Sequence, residues 1–100
     1  MGSGFNETIH VPTRLRICAL LAGAGEMEFG VVRDALALSD SVLSKHLKVL
    51  EQAGFVHLRK GTVNTRTRTW VRLTKAGAGA FKAHVEELQK LAASADDLSI

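Results

Sequence analysis

Apolar positions follow two different periods along this chain. From Pro12 to about Ala22, "PTRLRICALLA" reads as a helix. Pro12 suits its first turn, where a backbone N–H would have no partner in any case. Leu15, Cys18, Ala19 and Ala22 share one face, while Ile17, Leu20 and Leu21 fall on others. A helix apolar nearly all round is buried on more than one side, and in so small a domain the second side can be a partner chain. Gly23 to Glu26 is a turn, and Met27 to Phe29 a very short strand. A second helix runs from about Gly30 to Leu36 or Ala37, offering Val31, Val32, Ala35 and Leu36 to the core.

The third helix, within "SDSVLSKHLKVLEQAGF" (Ser39 to Phe55), carries clear start and stop signals. Ser39 can accept a hydrogen bond from a free N–H of the first turn. Asp40 complements the positive end of the helix dipole. Gly54 suits the left-handed position that closes a helix. Leu43, Leu47 and Leu50 lie on one edge, spaced i, i+4, i+7. At about 100° per residue, Ser41, Lys45, Lys48 and Gln52 project from the opposite edge, flanked by Val42 and Ser44.

After Gly54 the period changes to two. "FVHLRK" and "RTWVRLT" alternate around the polar "GTVNTR", which predicts a β-hairpin. One face pairs Val56 and Leu58 with Val71 and Leu73, and Trp70 falls on the other. The loop tip is expected to hold Thr62, Asn64, Thr65, Arg66 and Arg68. Thr74 can cap a final helix over residues 74–93, although Gly77 and Gly79 weaken its first turns by roughly 1 kcal/mol each relative to alanine. Phe81, Val85, Leu88 and Ala92 form a narrow apolar stripe on it, and Glu86 and Lys90 can pair at i, i+4.

The length of 100 residues, with 46% hydrophobic residues and one proline, fits a single, mainly α domain with a small β-hairpin. Residues 9–93 are assigned to it. Residues 1–8, which begin "MGSG", are set aside as a tag-like flexible segment, and 94–100 as a flexible tail. No apolar run reaches the ~20 residues of a membrane helix, no leader pattern is visible, and the expected location is cytoplasmic. A single cysteine suits a reducing compartment. The net charge of +3 is unevenly spread. Between Gln52 and Val85 there is no acid, only Arg59, Lys60, Arg66, Arg68, Arg72, Lys75 and Lys82, while Glu86, Glu87, Asp96 and Asp97 gather near the end. A basic middle implies an anionic partner, nucleic acid first.

The order helix, short strand, helix, capped helix, basic hairpin, helix resembles a winged helix-turn-helix. "HVPTRLRICALL", "LALSDSVLSKHLKVLEQAGFV" and "RTWVRLTKAGAGAF" are similar to the small bacterial winged-helix transcriptional regulators of the MarR and ArsR types, over roughly Ile9 to Leu91. The resemblance implies a three-helix core, a wing and a C-terminal dimerisation helix. It implies a homodimer on double-stranded DNA, most members binding roughly two-fold operators, and most simply a repressor. The third helix would enter the major groove, presenting Ser41, Val42, Ser44, Lys45 and Lys48. The wing arginines Arg66 and Arg68 would lie on phosphates or in the adjacent minor groove. Leu20, Leu21, Phe81, Val85, Leu88 and Leu91 would hold the dimer.

Other readings bear on single residues. Arg59 and Lys60 serve equally as DNA contacts or as charges that keep an edge strand from pairing. His46 is expected to be structural. Trp70 is expected to shield the back of the sheet or to contact the second helix. Cys18 alone on an apolar face, with His10, His46, His57 and His84 scattered, gives no metal site and calls for no cofactor. No phosphate loop, nucleophile elbow or paired carboxylates suggest an enzyme. A protein-interaction module with an acidic partner, or a regulator gated by an unidentified small-molecule effector, would also use this fold.

Overall fold

Leu43, Leu47 and Leu50 are each no more than 2% exposed. They share one core with Ile17, Cys18 and Leu21, with Ile9, Val32 and Leu36, and with Val56 and Val71 from the strands. Each such side chain, fully buried, contributes about 1.5–3 kcal/mol. The computed structural model describes residues 4–98. In chain order the elements are α1 (Glu7–His10), α2 (Pro12–Ala24), β1 (Met27–Glu28) and α3 (Phe29–Ala35). There follow α4 (Asp40–Gln52), β2 (Val56–Val63), β3 (Arg66–Leu73) and α5 (Lys75–Leu98). The three strands form an antiparallel sheet in the order β1-β3-β2.

Helix α4 starts and stops as its sequence predicts. The Ser39 hydroxyl accepts from the Val42 N–H at 3.2 Å. At the other end Gly54 has φ 80°, its N–H bonds the Glu51 carbonyl at 2.9 Å, and the Phe55 N–H bonds Leu50 at 2.9 Å. This pair of bonds is the Schellman closure, which a glycine adopts without strain. The turn from α3 into α4 repeats it with Ala37 at φ 54°: the Leu38 N–H reaches the Arg33 carbonyl at 3.0 Å.

Several expectations need correction. The inward face of α2 is Ile17, Cys18 and Leu21, with Ala19 and Ala22 exposed. A helix this uniformly apolar gives no angular signal, so its neighbours decide which side is buried. The hairpin loop is shorter than "GTVNTR" suggests: β2 runs to Val63, and the turn is Asn64–Thr65 alone, with φ of 50° and 66°. Two positive φ values match the right-handed twist of the strands. Gly4–Thr8, set aside as a flexible segment, is packed, with α1 capped by the Asn6 side chain and Ile9 fully buried behind it. Helix α5 continues past residue 93 to Leu98, and Lys90 pairs with Glu87 rather than Glu86, at 3.4 Å.

The glycine-rich start of α5 has a steric cause. Thr74 caps it, accepting from the Gly77 N–H at 2.9 Å while its hydroxyl donates to the Gly54 carbonyl at 2.6 Å. A Cβ on Gly77 would stand 2.0 Å from the Phe55 carbonyl oxygen. The end of α4, the root of the hairpin and the start of α5 therefore meet in one joint that admits only a glycine.

Candidate nucleic-acid interface

The burial of Leu43, Leu47 and Leu50 forces the other edge of α4 outward. Ser41, Val42, Ser44, Lys45 and Lys48 are all exposed, Val42 by 39% despite its apolar side chain. Asp40 in the first turn would oppose an anionic ligand there, but Arg33 of α3 holds it at 2.8 Å and Asp34 at 2.9 Å. Those hydrogen bonds raise the pKa of Arg33 and lower that of Asp34.

Strand register decides which hairpin residues join this edge. Paired residues share a sheet face, so Leu58 with Val71 and Lys60 with Thr69 lie on the side of the core. Lys60 and Thr69 then line a groove of about 520 Å³ with Ser44, Lys48 and Glu51 of α4, over Leu47, Leu58 and Phe29. The opposite face carries Arg59 with Trp70, Gly61 with Arg68 and Val63 with Arg66.

The two predicted wing arginines therefore do not share the groove. Arg66 is exposed beside the turn, and Arg68 is on the outer face with Nη1 3.5 Å from Glu28 Oε1. Arg59 is committed more firmly. It makes two bonds to Glu26, at 2.8 and 3.2 Å, and its guanidinium stands 4.5 Å over the Trp70 ring. The Arg59 bond holds the Glu26 carboxyl below its usual range. Lys60 was legible as a groove residue: it has the parity of Val56 and Leu58. Thr69 follows from the register and has no independent signal.

The predicted dimer residues also separate. Leu21 is 2% exposed and belongs to the core of its own chain, which removes it from any partner-facing set. Leu20, Phe81, Val85 and Leu88 are half-buried, and Leu91 is 60% exposed. Every residue from Gln89 to Ala95 is exposed.

His46 is structural in its contacts. It is half-buried and accepts from Arg14 Nη1 at 3.2 Å, and burial, with Arg14 and Lys45 behind it, lowers its pKa. Burial pushes the Cys18 thiol up to about 11, so it stays protonated near neutrality. Among the described residues no three His, Cys, Asp or Glu side chains come together as a metal site, and no helix is long and apolar enough to cross a membrane.

The helix order, the β1-β3-β2 sheet and the outward edge of α4 coincide with a family model described as a winged helix DNA-binding domain, which matches residues 13–92. The chain belongs to the winged helix DNA-binding domain family. This winged helix chain is 37% identical over 87 residues to MJ0432, an uncharacterized protein of Methanocaldococcus jannaschii, covering 87% of this chain and 90% of that one. Its structure is similar to the transcriptional regulator homologue of Pyrococcus horikoshii OT3, with a TM-score of 0.82 and 28% identity over 95% of this chain and 91% of that one. It is also similar to NadR in complex with 4-hydroxyphenylacetate, with a TM-score of 0.72 and 25% identity over 93% of this chain and 65% of that one. The family is that of winged helix DNA-binding domains, and the fold is shared with a solved transcriptional regulator homologue.

Proposed function

We propose that this chain forms a homodimer that binds double-stranded operator DNA in sequence-specific fashion and represses transcription. Helix α4 enters the major groove with Ser41, Val42, Ser44, Lys45 and Lys48. Serine hydroxyls can meet several base edges, Val42 a thymine methyl, and the lysines guanine or phosphate. The hairpin lies against the backbone, Lys60 and Thr69 from its inner face and Arg66 and Arg68 from its tip and outer face.

One observation carries this reading. Ser44 and Lys48 of α4 and Lys60 and Thr69 of the hairpin line one continuous groove, although they are distant in sequence. Leu20, Phe81, Val85, Leu88 and Leu91 on α2 and α5 are the apolar residues left for a second copy. Two-fold symmetry then sets two α4 helices about 34–36 Å apart, one turn of DNA. NadR was solved with 4-hydroxyphenylacetate, which supports a variant of this reading in which a small molecule gates the same DNA contact.

The test is binding to random-sequence and genomic DNA fragments at two salt concentrations, with Lys45→Ala/Lys48→Ala as control. The expected result is salt-sensitive binding that enriches a two-fold sequence and falls by about tenfold or more in the variant. Absence of binding at low salt would sink the DNA reading and turn attention to an acidic protein partner.

A further inference from the structure

The described core contains one fully buried polar side chain, His84 of α5, and its partners all come from the N-terminal segment. The Asn6 N–H donates to His84 Nδ1 at 2.9 Å. His10 Nδ1 lies 3.2 Å from His84 Nε2. The Phe5 ring covers both imidazoles, with centroids 4.6 Å from His10 and 4.8 Å from His84. Gly4 lies so close to α5 that a Cβ on it would be 2.9 Å from the Ala83 carbonyl oxygen.

These contacts have one direction. Because His84 Nδ1 accepts from a backbone N–H, the ring proton must sit on Nε2. Nε2–H then donates to His10 Nδ1, which leaves the His10 proton on its own Nε2. A further proton on His84 would go to Nδ1 and set it against the Asn6 N–H, donor to donor. His84 cannot gain a proton without breaking the bond that holds the segment down.

We infer that residues 4–10 form a proton-released strap, fastened to α5 by the neutral His84 ring and freed when that ring is protonated. The charged groups around the pair do not offset this. On α1, Glu7 is exposed; on α2, Arg14 is directed to the Thr8 carbonyl at 2.5 Å and to His46 of α4. On α5, Glu87 accepts from the Gly4 N–H and from Lys90, each at 3.4 Å. Burial, then the neighbouring His10, lowers the pKa of His84 below its ordinary 6.5. The released state binds the proton more readily than the fastened one. The strap is therefore fully stabilised above about pH 6.5 and loses that stabilisation as pH falls below it.

The strap has a functional neighbour. Phe5, Glu7, His10, Val11, Pro12 and Leu15 line an apolar groove of about 660 Å³ that runs from the strap onto α2. On the homodimer reading above, on which this step rests, that flank adjoins the surface for the second copy. Acid release of the strap then weakens the dimer and, with it, DNA affinity.

The test is amide hydrogen exchange on the full chain without DNA, at pH 7.5 and 5.5, corrected for intrinsic rates. The amides of Asn6 and Ile9, bonded to His84 and to the Asn6 side chain, should lose protection by about tenfold at the lower pH while Leu47 and Leu50 keep theirs. His84→Asn keeps an acceptor near Nδ1 but cannot titrate, and should flatten the response. Equal strap protection at both pH values, or an unchanged response in His84→Asn, would overturn the proposal. Should that variant not fold, nitrogen NMR of the wild-type imidazoles decides it. His84 must hold its proton on Nε2 at neutral pH and titrate together with loss of the Asn6 amide signal; titration with that amide unmoved overturns the strap. Dimer mass and DNA affinity, read at the same two pH values, should fall together with strap protection. Strap release with both unmoved overturns the coupling, and a protein that binds no DNA still tests the strap.

Discussion

The two faces of the β2–β3 hairpin differ in how many basic residues they carry and in how those residues are held: the inner face has Lys60, the outer face Arg59, Arg66, Arg68 and Arg72. On the inner face, Lys60 and Thr69 border an open groove beside α4. On the outer face, Arg59 is clamped by Glu26 and stacked on Trp70, and Arg68 leans on Glu28. A charge already paired within its own chain must give up that partner before it serves another. The availability of a basic residue to DNA therefore depends on the acids its face shares, and the count of lysines and arginines does not measure it. Both acids of the outer face come from β1 and the turn before it, on the same side of the sheet as Trp70.

The contrast presumes that the hairpin is held at a fixed angle to α4, and the largest predicted effect comes from breaking that hold. In Gly77→Ala the new Cβ would overlap the Phe55 carbonyl, 2.0 Å away, and push α5 off the hairpin root. Overpacking of backbone against backbone is expected to cost about 2–4 kcal/mol, read as a lower denaturation midpoint, and to weaken DNA binding along with it. Gly79→Ala is the control, since a Cβ there meets nothing within 4 Å. The second prediction sharpens the contrast itself. Lys60→Ala should lower DNA affinity about fivefold without shifting the denaturation midpoint, and flatten the salt dependence by about one phosphate contact.

The sequence made the frame of α4 and the hairpin readable because both depend on local rules. Ser39, the three leucines and Gly54 delimit α4 by capping, period and backbone conformation, and the alternation in "FVHLRK" assigns Val56, Leu58 and Lys60 to one face. The departures arise where distant residues decide. Gly77 looks like a weak helix former until Phe55, far back in the chain, is seen to fill the space of its side chain. "GTVNTR" looks like a loop because polar residues and a glycine mark turns, yet pairing with β3 extends β2 to Val63 and leaves Asn64–Thr65 as the turn. Leu21 and the strap fail for the same reason. Nothing local shows that α2 turns Leu21 inward, or that His84 is waiting for the Asn6 N–H. The sequence marks Arg68 as a tip residue, and only its register opposite Gly61 puts it beside Glu28.

The smallest effect is the most specific to the outer face. Glu28 has two roles through one carboxylate: Oε1 accepts from the Gly30 N–H at 3.3 Å, capping α3, and lies 3.5 Å from Arg68. Glu28→Gln keeps an oxygen for the cap and removes the charge that holds Arg68. Since the pair is partly exposed, its loss should leave the fold intact. Arg68, released, can extend along the backbone next to Arg66, and DNA affinity is expected to rise about threefold, with a steeper salt dependence. Glu28→Gln combined with Arg68→Ala should return affinity to the wild-type level or below. If Glu28→Gln instead lowers affinity, Glu28 is orienting Arg68 toward DNA rather than withholding it, and the outer face belongs to the binding surface on the same terms as the inner one.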